Sequence, residues 1–273
     1  MFALSSQSNI TVHEKDFFVQ KHSIVRRIWG NSDTILFIFA GAAGEFALSK
    51  AVDWLFYTGK LPADPIGRLF STVTYARAIV FSEKEKASKA IQTIRLIHTQ
   101  VEQSRTYAIP DWAYKQVLFM LIHYSVSAFE VLERRMTDSE KQEVMDVFLE
   151  VGTQMGLENL PHTMTKWEVM HKDILQNHLA YSSFTKALFD QYQKHLGNTR
   201  YFLLKEVQRL VSPARVSELL GYKRPTLLYL ALYAYKFSRW LGLAGVVKKL
   251  VLPVKYQKQI GDLDIRDYEN AIF

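Results

Sequence analysis

A helical spacing of apolar residues runs through almost the whole sequence, and it constrains the fold more than any other feature. Apolar side chains recur every three or four residues, whereas sustained alternation of apolar and polar residues is absent, as are Asn-Gly and Asp-Gly turns between apolar runs. Only seven prolines and twelve glycines interrupt the 273 residues, which leaves room for long helices. The sequence therefore predicts an all-α fold.

The chain shows no internal repeat, low-complexity tract or linker, so we predict a single multi-helix domain over residues 1–273. We expect residues 1–23 to form an N-terminal arm and residues 194–258 to form a basic, aromatic C-terminal region. The apolar run from Ile35 to Leu48 is interrupted by Gly41-Ala-Ala-Gly44. These small residues favour close helix packing, because a dinucleotide-binding loop would need a preceding strand and a third glycine.

Several helices are marked by their start signals. Asp64 is suited to cap a helix that begins at Pro65 and reaches about Val80. The Ser-x-x-Glu pattern of residues 82–85 predicts a second helix, which we expect to end near Gln103. Later helices are predicted over residues 111–135, from Thr137 to Gly152 or Gly156, in two or three segments between Lys166 and Leu210, and as an amphipathic helix over residues 226–243.

Charge and composition narrow the function classes. The formal charge is +7, and thirteen Lys or Arg residues stand against two acids between Lys194 and Lys258. This region could face anionic lipid or simply be a solvated basic face; we predict no nucleic-acid partner and peripheral membrane contact as one of two alternatives. Without cysteine, the chain has no disulfides, thiolate metal sites or cysteine nucleophiles.

The N-terminal sequence lacks the basic start and apolar core of a secretory signal, and uncharged apolar runs are shorter than the roughly 20 residues of a spanning helix. We therefore expect a cytoplasmic protein that does not cross a membrane.

Four residues on two consecutive predicted helices attract attention. His98 lies on an apolar stripe of the second helix, and Arg95 is its neighbour one turn earlier. Arg68 and Thr72 share one stripe of the first helix. If the two helices are antiparallel neighbours, each directs an arginine and a second functional group inward. The alternative is structural: a hydrogen-bonded core histidine, with an arginine paired to Glu45 or Glu130.

Four fragments with a shared order and spacing carry a family resemblance. They are Asp64-Pro-Ile-Gly-Arg68-Leu-Phe-Ser-Thr72, Val80-Phe-Ser-Glu-Lys-Glu-Lys-Ala87, Arg95-Leu-Ile-His98-Thr-Gln-Val101 and Tyr107-Ala-Ile-Pro-Asp111. Together they resemble the rubber oxygenases, or latex clearing proteins, whose catalytic domain is shared with MpaB-type oxygenases. The resemblance extends from about residue 24 to residue 130, and more loosely to the C-terminal region.

The resemblance implies an all-helical domain with a globin-like element that binds a b-type haem. It implies that His98 is the axial ligand of the haem iron and that Arg95 neutralises a propionate or supports the ligand. Arg68 and Thr72 would line the haem pocket, anchor the cofactor and polarise bound oxygen or substrate. The implied activity is oxidation or cleavage of a hydrophobic, unsaturated substrate by dioxygen.

The sequence also departs from the family pattern. Glu102-Gln103 replaces the usual basic residue and glycine after the ligand helix, Ser71 stands where a distal lysine is found, and Val117-Leu-Phe119 replaces a Trp-Val-His stretch. The alternative function is therefore a non-catalytic haem-binding or membrane-associated helical protein. His123 is the second candidate for a haem ligand or core histidine, and we expect His162, His171 and His178 to lie on the surface.

Overall fold

Helices account for nearly all of the secondary structure in the described part of the chain. The computed structural model describes residues 16–57, 59, 63–222, 228, 232–236 and 264. Its ten helices are α1 (Ile24–Trp29), α2 (Ser32–Leu48), α3 (Asp53–Tyr57), α4 (Pro65–Val80), α5 (Lys84–Arg105), α6 (Asp111–Leu132), α7 (Asp138–Gln154), α8 (Met164–Asn177), α9 (Ser183–Val211) and α10 (Ala214–Leu219). Between these residues only isolated β-bridges form, so the predicted all-α fold is confirmed.

Two predicted segments lie largely outside the residues that the structure describes. Most of the basic C-terminal region after residue 222, including most of the predicted helix over residues 226–243, lies outside the described residues, as do residues 1–15 of the predicted N-terminal arm. None of the described helices is long and apolar enough to cross a membrane.

Helix α2 packs closely against α6 and α9 because two of its residues have no side chain. A Cβ atom on Gly41 would lie 2.2 Å from the Tyr124 ring of α6, and one on Gly44 would lie 3.1 Å from the Gln208 amide of α9. Gln208 Nε2 donates a hydrogen bond to the Ala40 carbonyl oxygen at 2.9 Å. The two glycines thus act as the predicted packing residues.

The predicted helix starts are confirmed at two positions. Asp64 caps α4, its carboxylate accepting from the Gly67 amide at 2.9 Å, and Pro65 is the first helical residue. A reciprocal capping box between Thr137 and Glu140 starts α7. Caps of this kind satisfy amide groups that have no partner inside the helix, which is why these sequences begin helices.

The predicted capping box of residues 82–85 is wrong. Helix α5 begins at Lys84, and the residue before it, Glu83, makes no side-chain cap hydrogen bond. Instead the backbone of residues 16–18 pairs with this turn: the Lys84 amide donates to Asp16 at 2.9 Å and the Phe18 amide donates to Ser82 at 3.1 Å. The Asp16 carbonyl, from a distant segment of the chain, therefore accepts from the first turn of α5, where the Ser82 side chain was expected to accept.

Two helices differ from their predicted extents. Helix α6 ends at Leu132 rather than at Arg135. Helix α9 continues through Gly197, which has φ +72° and ψ 167° and so places a kink inside it. Only glycine adopts such a conformation without strain, because other residues would bring Cβ against the backbone.

Candidate functional site

Helices α4 and α5 form a hairpin through the short connection of residues 81–83. Near the connection, Ile79 of α4 is buried in one cluster with Ala87 and Ile91 of α5. Further from it, Arg68, Thr72 and residues 95–97 are exposed, and we call this part of the hairpin its open end. Ile97 is 42% exposed, so the open end presents apolar as well as charged side chains to its surroundings.

His98 lies on α5 at this open end and is half-buried. Its Nδ1 is 2.8 Å from the Ile94 carbonyl oxygen. A carbonyl can only accept a hydrogen bond, so Nδ1 carries a hydrogen, and in the neutral imidazole Nε2 then has the lone pair. The His98 ring also packs edge to face with the Tyr114 ring of α6, with 5.4 Å between ring centroids and an interplanar angle of 68°. The imidazole is thus held in one orientation with one nitrogen available to a ligand.

A cleft of about 290 Å³ opens beside His98. Its walls come from α5, from the first turn of α6 and the loop before it, and from the end of α7. The lining residues are Arg95, His98, Thr99, Glu102, Ile109, Asp111, Tyr114, Met155, Gly156 and Leu157.

One wall of the cleft is organised by the Glu102 carboxylate. Its Oε1 accepts from the Ile109 amide at 2.9 Å and from the Tyr114 hydroxyl at 3.1 Å. Burial, together with the neighbouring Glu102 charge, raises the pKa of the Tyr114 phenol, so the hydroxyl stays protonated and donates. These bonds fasten the loop after α5, and the first turn of α6, to the helix that carries His98.

Arg95 lies against the opposite wall, at the end of α7. Gly156 has φ +88°, a left-handed conformation that ends the helix, and a Cβ atom there would lie 3.5 Å from the Arg95 guanidinium carbon. The guanidinium rests on bare backbone and makes no ion pair with a carboxylate of the described residues. The cleft therefore holds one guanidinium without an ion-pair partner among the described residues, together with the Glu102 carboxylate, which accepts from two neutral donors. Asp111, also at the cleft, pairs with Lys115 at 2.6 Å.

The expectation that α4 and α5 direct their arginines inward is wrong. Arg68, Thr72 and Arg95 are all exposed. Arg95 shares the cleft with His98, whereas Arg68 and Thr72 are not among its lining residues. The alternative prediction, an arginine paired to Glu45 or Glu130, is also wrong. Glu130 pairs with Lys141 at 3.1 Å, and Glu45 is buried in another part of the fold.

The buried Glu45 belongs to a second polar region, which we call the polar core: Glu45 of α2, Gln116 and Tyr124 of α6, and Ser212 after α9. All four residues are at most 5% exposed. Burial raises the pKa of the Glu45 carboxyl to about 8; Tyr124 and Gln116 approach it and offset part of that rise without completing a hydrogen bond of regular geometry. Glu45 is therefore protonated and neutral at pH 7.

Two histidines lie close to the polar core. His123 Nε2 donates to the Val211 carbonyl oxygen at 3.0 Å, as a core histidine would. His171 was expected on the surface, but it is 5% exposed, stacked on Trp167 and 5.4 Å from the His123 ring. Burial lowers the pKa of both imidazoles, that of His171 to about 3, so both are neutral at pH 7. His178 is half-buried and stacks on Trp112 at 4.1 Å.

Comparison with known families decides what class of protein this is. The model of the family described as "ER-bound oxygenase mpaB/B'/Rubber oxygenase, catalytic domain" matches residues 26–244. The chain belongs to this family. Searches of curated proteins and of solved structures found no match. The family match covers the α4–α5 hairpin, the cleft and the polar core, so both regions belong to an oxygenase catalytic domain.

Sequence reasoning found His98 and Arg95 but missed two residues that shape the same cleft. Tyr114 sits in an apolar helix, where it resembles a core aromatic, and its contact with His98 depends on how α6 returns past α5. Gly156 was recognised as a possible helix end, but not as the surface beneath Arg95. Glu102 was noted as a departure from the family pattern. That departure was the available signal that the cleft wall around Glu102 differs from the family pattern.

Proposed function

We propose that this protein is a haem-b-dependent oxygenase that acts on a hydrophobic, unsaturated substrate with dioxygen. The observation that carries the proposal is His98 in its cleft, with Nδ1 bonded to Ile94 and Nε2 free, on a chain of the oxygenase catalytic-domain family. A backbone carbonyl on the second ring nitrogen is the usual support of a metal-binding histidine.

The residues present fit a haem in their donor chemistry. Haem iron needs one axial side chain from the protein, whereas a metal ion held by side chains alone needs three or four. The described residues contain no group of three His, Cys, Asp or Glu side chains that could hold a metal ion. The Arg95 guanidinium, which has no ion-pair partner among the described residues, suits a propionate. The cleft volume of about 290 Å³ is at the low end for ligand pockets, so the proposal also uses the open end of the α4–α5 hairpin.

Each residue would have one role toward the cofactor. His98 Nε2 would hold the iron, since the bond from Nδ1 to the Ile94 carbonyl leaves that nitrogen free. Arg95 would neutralise a propionate from its position on Gly156. Arg68 and Thr72, at the open end of the same hairpin, would anchor the cofactor and orient the oxygen or substrate. When bound, the haem would supply the redox chemistry by which dioxygen oxidises an organic substrate.

The hydrophobic substrate is supported by exposed apolar residues on the two helices of the hairpin, outside the cleft lining. Leu96 is 62% exposed and Ile97 is 42% exposed, and Tyr75 lies on the neighbouring helix. Apolar surface of this kind favours an apolar ligand, because contact removes it from water. The proposal includes a cytoplasmic location with peripheral membrane contact through the basic C-terminal region, a route by which such a substrate could arrive.

Titration of the purified protein with haem tests the proposal. We expect a saturable Soret band at one haem per chain; a titration without saturation would overturn the haem assignment. With the haem reduced, oxygen uptake should be faster with a polyunsaturated chain than with a saturated chain of equal length. Equal uptake with both would remove the unsaturated substrate from the proposal.

A further inference from the structure

We infer that Glu102 and Tyr114 form a positioning pair that holds the imidazole of His98 in its ligand-binding orientation. The inference rests on the proposed function, because it assigns the pair a purpose toward the haem. Neither residue bonds to a ring nitrogen of His98, so both act through the packing of the ring rather than as ligands.

The first step of the argument is the contact between Tyr114 and His98. His98 is half-buried at the open end of the hairpin, where its neighbours Leu96 and Ile97 are exposed. Its bond to Ile94 lies within α5 and leaves ring rotation limited mainly by what packs against the ring. Tyr114 supplies that contact from another helix, edge to face at 5.4 Å. Such aromatic pairs stabilise their arrangement beyond the effect of the area they bury.

The second step is what holds Tyr114. Its hydroxyl donates to Glu102, which lies one turn after His98 on α5, so the bond joins α6 to the ligand helix at 3.1 Å. The same Glu102 oxygen accepts from the Ile109 amide and thereby fastens the loop between the two helices. Because the loop and the phenol share one carboxylate, removal of Glu102 releases both at once.

The third step concerns the residue type at position 102. The family resemblance implies a basic residue there, but this chain has a glutamate. A phenol and a backbone amide both donate, so the group between them must accept twice. A lysine or arginine there could only donate and would leave both groups without a partner. Glutamate at position 102 therefore provides the acceptor that both the Tyr114 hydroxyl and the Ile109 amide require.

Four variants test the inference, with Glu150→Ala as the control because Glu150 is exposed on α7 and bonds to Gln154. Glu102→Ala and Tyr114→Leu should weaken haem binding about tenfold, the lower end of the effect of losing support around a metal ligand. Glu102→Gln should retain near-normal affinity, since an amide oxygen still accepts. Tyr114→Phe keeps the ring but not the hydrogen bond and should fall between these results.

A second readout uses the haem-free protein, so it does not depend on the proposed function. Nitrogen-15 shifts of the His98 ring should show one tautomer, protonated at Nδ1, in the wild type and in Glu102→Gln. Glu102→Ala and Tyr114→Leu should show averaging of the two tautomers, with unchanged helical circular dichroism. If both variants keep the wild-type shifts and match Glu150→Ala in haem affinity, the positioning pair is disproved. If the wild type binds no haem but the shifts change as expected, the proposed function fails and the positioning of His98 stands.

Discussion

Folded proteins usually bury apolar side chains and expose polar ones. The polar core departs from this pattern by burying polar side chains, whereas the open end of the α4–α5 hairpin departs from it by exposing apolar side chains. In the polar core, Glu45 and Tyr124 are fully buried, and closely packed helices surround them. At the hairpin, Leu96 and Ile97 are exposed although they belong to a helix with a long apolar stripe. The first region encloses its polar groups among packed side chains, whereas the second offers a cleft, a histidine nitrogen and an arginine that pairs with no described carboxylate. Burial alone is therefore a poor guide to function in this fold.

Gly41→Ala should have the largest effect, because it tests how closed the polar core is. The new Cβ atom would lie 2.2 Å from the Tyr124 ring, which cannot move far inside the packed core. We expect a loss of about 3 kcal/mol in the free energy of unfolding, the upper end of typical overpacking costs. Gly44→Ala meets the Gln208 amide at 3.1 Å and should cost less. Chemical denaturation of both variants measures the difference, and equal small losses would mean that the core is loosely packed.

Glu45→Gln should change how stability depends on pH. The pKa of the Glu45 carboxyl is about 8 in the folded chain, against a usual value of 4.5. As pH rises, the unfolded chain loses this proton first, so the contribution of Glu45 to stability falls between pH 4.5 and about 8 and is level on either side. The Gln variant lacks this titration, so its stability relative to wild type should rise by about 3 kcal/mol from pH 4 to pH 7, at 1.36 kcal/mol per pH unit.

The matching measurement is denaturation of wild type and Glu45→Gln at pH 4, 6, 7 and 8.5. A difference between the two proteins that stays constant with pH would show that water or a cation reaches the carboxyl, and would contradict a closed polar core.

Ile91→Ala and Ile97→Ala compare the closed and open ends of the hairpin on one helix. Ile91 is fully buried near the turn, and its truncation should cost about 2.5 kcal/mol through lost burial and a residual cavity. Ile97 is 42% exposed, and its truncation should change stability by less than about 0.5 kcal/mol. Similar losses, measured by thermal and chemical unfolding, would show that the hairpin is closed along its whole length.

Arg68→Ala and Lys86→Ala provide the smallest contrast, since both side chains are exposed and neither substitution should alter folding. We expect Arg68→Ala to reduce haem retention a few-fold, because Arg68 lies at the open end of the hairpin, and Lys86→Ala to leave it unchanged. Dialysis of haem-loaded variants against apomyoglobin measures retention. Identical rates would remove Arg68 from the cofactor site.

The success of sequence reasoning differed between the two regions for physical reasons. Local signals found the α4 start at Asp64 and Pro65 and the α7 capping box, because caps depend on residues a few positions apart. They failed at Ser82, where the partner is the backbone of residues 16–18, far away in sequence. Likewise, the exposure of Arg68 and Thr72 depends on which face of α4 the rest of the domain covers, and the periodicity of α4 alone does not determine this.

The same distinction explains the histidines. His98 was predicted as a ligand from its stripe and the family resemblance; the structure places it at a cleft, and its role as a ligand stays a prediction. His171 was misplaced because its contact with Phe119 of α6 depends on how α8 docks, whereas its stack on Trp167 lies within α8 itself. Glu45 was considered only as a partner for arginine, since its neighbours Gln116 and Tyr124 are about 70 residues away or more along the chain.

The most direct test of the central claim compares one histidine from each region. Haem titrations of His98→Ala and His123→Ala, followed by the Soret band and by circular dichroism, separate loss of a ligand from loss of the fold. The account predicts that His98→Ala abolishes the saturable Soret shift with its helical signal nearly intact, while His123→Ala still binds one haem per chain. Retained haem with unchanged ligand-field bands in His98→Ala, together with lost binding in His123→Ala, would place the cofactor in the polar core and contradict the account.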